Sequence, residues 1–334
     1  QLGPVASKIY FSPAAQWQAG LSSEFFTFKY ADQSRANVMS VAPGLSFRPH
    51  HRLIFNSQLL FENGGSESRN TVTYQKGQSV VQMAYLDWLA DETGQSGLRI
   101  GHQLVPLGWL NTQAEPVAFF GVLKPELERE LIPGGWHENG LSLWVDRPRA
   151  DIPLGVFNSL DARSFKGETF LANGRMQGQD AAAHDLMAVF RLNAKNEWFL
   201  MGASIAAGNS AQNNPALRNS GFRIAEIHGR ARFSRAELFA QAVRAQLDDA
   251  EAISITNGTA IAEVAQGTQV QAAFDVNGGK KPLWLFARQS DYNLNARMPI
   301  GYSADPALNK SVTTFGATFF PLPTLVLKSD FAIK

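Results

Sequence analysis

Along most of this chain apolar and polar residues alternate one by one, in run after run of roughly ten residues, and a helical period is scarce. Successive side chains of a strand point to opposite faces, so each such run reads as a strand with one apolar and one polar face. Leu53, Phe55, Leu59 and Phe61 share one face while Asn56, Gln58 and Glu62 share the other. Leu141, Leu143 and Val145 oppose Ser142 and Asp146, and Val270, Ala272, Phe274 and Val276 oppose Gln269, Gln271 and Asp275. About fifteen such runs follow one another, separated by polar or glycine-rich turns. The first, 16–30, closes on Phe25, Phe26, Phe28 and Tyr30. Only 1–15 shows no clear period and is set apart as an N-terminal segment, with the strands filling 16–334.

Two architectures bury one face of so many strands. In a soluble sandwich or propeller the polar face meets bulk water. In a membrane barrel the apolar face meets lipid and the polar face a lumen, and the alternation averages out to an unremarkable hydropathy. Runs of this length match the ~9–11 tilted residues that cross a bilayer, and aromatics gather near their ends, as at an interfacial girdle. Both points favour the barrel. Composition excludes other classes. The 334 residues carry a net charge of +1, with no basic excess for nucleic acid and no acidic tail. There is no cysteine, which removes thiolate metal sites and disulfides and suits passage through an oxidising compartment. No run reaches the length of a membrane-spanning helix. Gln1 opens no charged, apolar leader, so any signal peptide is expected to be absent from this sequence.

The alternation fails longest over 106–140. This stretch holds Pro106, Pro116, Pro125 and Pro133, two short apolar patches and the charged unit Lys124–Glu130. Pro125 followed by acidic residues reads as a helix start, because proline fits the first turn and carboxylates favour the helix N-terminus. A long loop among barrel strands, 107–139, has two readings. Folded into the lumen, it sets a pore constriction with Glu115, Lys124, Glu126, Glu128, Arg129, Glu130, His137 and Glu138. Alternatively it braces the wall, with Leu127, Leu131 and Ile132 packed inward. On 222–233, Glu226, His228, Arg230 and Arg232 share the inward face, either as a charged stripe that screens solutes or as ion pairs that plug the barrel. Alternation places Arg99, Arg288, Lys328 and Asp330 inward as well.

Enzyme motifs are missing: no Gly-x-Ser-x-Gly, no phosphate loop, no His-Glu-x-x-His. Asp291-x-Asn293-x-Asn295 begins like a calcium loop but has Ala296 where glycine is needed and Tyr302 where glutamate is needed, so it reads as a polar turn. His50 and His51 are adjacent at a turn, which does not converge two ligands. No metal or cofactor is expected.

Segments across nearly the whole chain carry a family resemblance: LGPVASKIY at 2–10, LIFNS at 53–57, AYLD at 84–87, LVPLG at 104–108, EP at 115–116, FGV at 120–122, ELIP at 130–133, WHENG at 136–140 and VLKSDF at 326–331. In this order they resemble bacterial outer-membrane porins of the phosphate-selective superfamily, closest to a porin-like branch. The resemblance implies an antiparallel transmembrane β-barrel of about sixteen strands with an inward loop, in the bacterial outer membrane, as a homo-oligomer that is a trimer or larger ring. The branch includes members whose rings enclose lipid. Ala114, Lys124 and His137 stand where the branch carries His, Arg and Arg, which weakens any borrowed anion role. The branch also ends in one further strand beyond the equivalent of Lys334, so a final strand is expected to be missing here. The function expected is passive diffusion of small hydrophilic solutes, weakly charge-selective and non-enzymatic. The alternative is a structural barrel with a plugged lumen whose ring organises membrane lipid or lipopolysaccharide. A lipase-like barrel would need a Ser/His/acid cluster that the sequence does not present.

Overall fold

The computed structural model describes residues 7–12, 15–24, 27–29, 35–37, 40–62, 78–113, 115–178 and 180–334, with side chains placed from residue 40 onward. The strands are β1 (Ser7–Ser12), β2 (Ala15–Glu24), β3 (Thr27–Lys29), β4 (Arg35–Asn37), β5 (Ser40–His50), β6 (Leu53–Glu62), β7 (Gln78–Leu89), β8 (Ser96–Leu104) and β9 (His137–Arg147). They continue as β10 (Ala150–Asn158), β11 (Leu186–Lys195), β12 (Phe199–Asn209), β13 (Gly221–Phe233), β14 (Ala236–Leu247), β15 (Val264–Asp275), β16 (Leu283–Arg297), β17 (Asn309–Leu322) and β18 (Leu325–Ile333). All but β3 and β4, which pair with each other, form one 16-stranded sheet in which chain neighbours are sheet neighbours. Every recorded pairing is antiparallel, the up-and-down order of a barrel. Two helices interrupt it, α1 (Glu126–Glu130) and α2 (Ala250–Asn257).

The alternation becomes a wall with apolar residues outside. Along β13, Glu226 and His228 are buried while Ile227 is 61% exposed; Leu143 on β9 and Leu238 on β14 are exposed to similar degrees. Exposed apolar side chains of this kind are what a barrel offers to lipid. No helix among the described residues is long and apolar enough to cross a membrane. Connections alternate in length: 148–149, 196–198, 234–235 and 323–324 are tight turns at one end, whereas 105–136, 159–185, 210–220, 248–263 and 298–308 all leave the other. Exposed Trp198, Phe199, Phe233 and Phe274 ring the short-turn end, as a membrane-interface girdle does.

Three sequence expectations are corrected. The segment 1–15 is not separate from the sheet: Ser7–Ser12 is its first strand, paired with β2. An irregularity between Tyr10 and Ser12 shifts the register there and hides the alternation. His137 and Glu138 lie not in the loop but at the start of β9, paired with Leu104 and Gln103. Asp291, Asn293 and Asn295 form no turn but lie within β16, whose pairing with β15 shifts register between Asn293 and Arg297. Asp291 and Asn293 stand on the outer face with Tyr292 and Leu294 buried opposite, so the alternation is present with its apolar face turned inward. The aromatic cluster at 25–30, Ala114 and the start of the 2–10 segment lie outside the residues whose side chains are described.

The core sits inside the long-loop half of the barrel. Wall residues Phe157, Met187, Ile224, Val243, Leu294 and Val312 meet Leu107, Leu127, Ile132 and Trp136 of the 105–136 loop in one buried apolar cluster. Phe165, Phe170 and Leu171 of the 159–185 loop, Leu217, and Ile253 of α2 join it. Asn257, at the end of α2, donates to Ala162 O and Phe165 O at 2.8 and 3.0 Å, tying two loops together.

Candidate functional site: the inward loop and the wall it meets

Loop 105–136 begins and ends on adjacent strands, and its neck is closed by Asn111. The Asn111 Nδ2 donates to Val105 O at 2.7 Å and Trp136 O at 2.8 Å, and its Oδ1 accepts from Trp136 N at 2.9 Å. From this neck the chain enters the barrel. Gly108 has φ +75°, and a Cβ there would lie 2.6 Å from Ile132 Cδ1, so only glycine fits the turn-in. The α1 helix follows Pro125 as expected, with Glu126 and Glu128 in its first turn and Arg129 in its last. Its apolar side, Leu127 with Leu131 and Ile132 just beyond, is buried in the cluster.

The loop carboxylates face the wall. Glu126 accepts from Arg288 Nε on β16 at 3.2 Å and from Ser290 Oγ at 3.1 Å, and both members of the ion pair are buried. Glu128 accepts from Trp109 N at 2.8 Å and from Gln241 Nε2 on β14 at 2.5 Å. The same Gln241 nitrogen donates to Glu226 Oε1 at 3.0 Å, and Glu226 also engages His228 Nδ1 at 2.8 Å and Ser204 Oγ at 2.9 Å. Ser204 in turn accepts from Gly108 N at 2.9 Å. Further down, Asp330 on β18 accepts from Val122 N at 2.7 Å, and Lys328 Nζ stands 3.6 Å from the Phe119 ring centroid. Loop and wall therefore share a polar seam running from β12 to β18, made of charge-assisted hydrogen bonds that gain strength out of water.

Glu138 serves a second seam. It is fully buried, accepts from Trp136 Nε1 at 3.1 Å, and takes the backbone N–H groups of Met176, Gln177 and Gly178 at 3.0, 3.0 and 3.2 Å. It thus holds the 159–185 loop against the base of the first loop. His137 is buried beside it, 2.7 Å from His102 through ring nitrogens.

The remaining predicted residues are half-exposed. Arg129 pairs with Glu130 at 3.0 Å, and Arg99 forms a two-point pair with Asp87 at 2.8 and 3.0 Å, their arginines 35% and 29% exposed. Glu115 and Lys124 sit at the loop surface, where the Glu115 carbonyl closes the turn at Ala118 N and the Lys124 carbonyl accepts from Arg129. Arg232 pairs with Glu237. Among the described residues Arg230 makes no hydrogen bond or ion pair. With Arg232, Trp109, Phe119, Phe120 and Trp284 it lines a cavity of about 370 Å³ at the short-turn end. Alternation had placed Arg230 and Arg232 inward. It also placed Gln241 and Glu237 on an inward face without marking them as part of a site, and Asn111 carries no sequence signal that distinguishes it.

Burial, and after it the neighbouring Glu226 carboxylate, raise the Glu128 carboxyl above the ordinary range. A raised carboxyl contributes its full stabilisation below the unfolded value, where both states are protonated. The contribution is lost as pH climbs through the higher folded value. The urea midpoint of the folded barrel is therefore expected to fall as pH rises through that window, and Glu128→Gln to flatten that part of the profile. An identical slope in the variant would exclude Glu128 as its source.

No protein-family model matches the sequence. An uncharacterised protein of Aquifex aeolicus (strain VF5) is 26% identical over 357 residues, covering 99% of this chain and 78% of its own length. Among solved structures, OmpF of Salmonella typhi has a TM-score of 0.60 at 11% identity, with 98% of this chain and 92% of that one covered. The outer membrane channel DcaP of Acinetobacter baumannii has 0.56 at 12%, covering 97% and 92%. The anion-selective porin from Comamonas acidovorans has 0.52 at 13%, covering 91% and 83%. At such identities the likeness is one of fold, and the fold is that of the outer-membrane β-barrel porins and channels.

Proposed function

We propose that this chain is a passive channel of the bacterial outer membrane for small hydrophilic solutes, weakly charge-selective and without covalent chemistry, working as a homo-oligomer in contact with membrane lipid or lipopolysaccharide. The observation that carries this reading is the division of the inward charges into two sets. Glu126, Glu128, Glu226, His228 and Arg288 are buried and hold the loop to the wall, whereas Arg99, Arg129, Glu130, Arg230 and Arg232 stay partly open to solvent. These open groups, with Glu115 and Lys124 at the loop surface, are the ones that can meet a solute. Three of the arginines are neutralised by Asp87, Glu130 and Glu237, so the field they leave is small. Arg230 and Arg232 stand beside the single Glu237 carboxylate, and the one positive charge left over tips the preference toward anions. A ladder of unpaired cations, as strong phosphate selectivity would require, is not formed by these residues.

Purified protein in planar bilayers is expected to give stepwise conductance with a small anionic reversal potential in a KCl gradient. Arg230→Gln is expected to move that potential toward zero without lowering the conductance. A folded barrel that gives no conductance step sinks the channel reading. The buried apolar cluster, which fills the long-loop half of the barrel, supports a second reading. In it the lumen is plugged and the oligomer organises lipid, and a silent barrel that retains tightly bound lipid through purification would favour this.

A further inference from the structure

The outside of the barrel is not uniformly apolar. One hydrogen-bonded row of outward residues runs Leu143, Leu154, Phe190 and Ile205 on β9–β12, then continues through Ala225 to Arg244, Gln266, Asn293 and Asn309 on β14–β17. The row below it ends in Thr268, Asp291 and Ser311, and the next in Gln289 and Thr313. Only the row after that, with Leu238, Ala272, Ala287 and Phe315, is apolar across the same strands.

These groups lie at membrane depth. Strands rise about 3.3 Å per residue and tilt by about 40°, which advances them ~2.5 Å per residue across the bilayer. Leu285 pairs with the girdle residue Phe274. Gln289 and Asp291 therefore stand ~10 and ~15 Å above the girdle, within an apolar band ~25 Å tall. They are also wired together. Gln289 Nε2 donates to Asp291 Oδ1 and to Ser311 Oγ, both at 2.9 Å, and Gln289 Oε1 accepts from Thr313 Oγ1 at 2.5 Å. Arg244 donates to Gln266 Oε1 at 2.6 Å. Neither Arg244 nor Asp291 has an ion-pair partner among the described residues. Beside them a groove of about 650 Å³ is lined on its outer face by the small residues Ala225, Ala242 and Thr268.

We propose that this polar face of β14–β17 is a subunit interface, where copies of this chain pack the same face together around a symmetry axis. Lipid tails cannot satisfy these donors and acceptors, so something polar covers them. One uncompensated cation, one uncompensated anion and neutral amides on the same face are self-complementary, which is what contact between identical faces requires. An anionic lipid headgroup instead calls for a cluster of unpaired cations; in the next row Arg223 and Arg297 are paired with Asp248 and Glu263, which leaves Arg244. The small residues of the groove let a second wall approach closely. The inference deepens the homo-oligomer part of the function proposed above and is independent of conduction.

The chain contains no cysteine, so single cysteines report without background. Thr268→Cys and Ser311→Cys, each treated in native membranes with a short bismaleimide, are expected to give a covalent band at the mass of two copies that persists on denaturation. Leu143→Cys, on the apolar side, is expected to remain at one. Heat-dependent gel mobility verifies that each variant is a folded barrel. Cross-linking through Leu143→Cys alone overturns the proposal. So does a folded barrel that cross-links at neither polar position, and lipopolysaccharide co-purifying with it would assign the face to lipid headgroups.

Discussion

Glu126→Ala is expected to free the inward loop from the barrel wall, at a cost of about 3–5 kcal/mol to its docking, because a buried arginine loses the carboxylate that neutralises it. Arg288 is 2% exposed and its Nε is 3.2 Å from Glu126. Ser290 Oγ would lose its bond to the same carboxylate. Released from this seam, the loop should become sensitive to proteases added to the folded barrel, and the conductance step should grow or become noisy. The diagnostic control is the double variant Glu126→Ala/Arg288→Met, which removes both charges and retains apolar volume. Replacing a whole buried pair is often neutral, so the double variant should recover most of the loop's protection. If the double variant is as loose as the single one, the seam depends on something other than charge neutralisation.

Trp136→Ala should be the most destabilising single change in the loop. The residue has no exposed surface and sits in the apolar cluster between Leu127, Ile132 and the wall. Truncating a buried tryptophan costs about 3–5 kcal/mol through lost burial and the cavity left behind. It would also remove the indole N–H from Glu138, whose remaining bonds hold Met176–Gly178. Both long loops should therefore loosen together, read as a lower urea midpoint for the folded band and faster hydrogen exchange in 105–136 and 159–185. Trp136→Phe keeps most of the volume and loses only the N–H bond. It should fall well short of the alanine variant, and equal losses from the two would show that packing is not the dominant contribution.

These two sites mark where sequence reading stops. That Glu126 and Glu128 begin a helix after Pro125 is local chemistry and was legible. That Glu126 meets Arg288 and Glu128 meets Gln241 was not, since those partners lie 162 and 113 residues away and any inward residue of the right type was an equal candidate. The same distinction explains the corrections. A register shift at Tyr10 concealed β1, and three alternating polar residues made Asp291–Asn295 look like a turn when it is strand with Tyr292 and Leu294 buried inward.

The sequence by itself determined which face of nearly every strand turns inward, because that parity follows from a two-residue period that each strand carries alone. It also determined that the long proline-interrupted stretch could not be wall. Only the tertiary structure decided what the loop's charges do, burying one set against the wall and leaving another open to solvent. Only it showed that one side of the outer surface is polar at membrane depth. Both depend on which strands stand opposite or beside one another, and that is set by sheet registry and barrel curvature rather than by any residue's near neighbours.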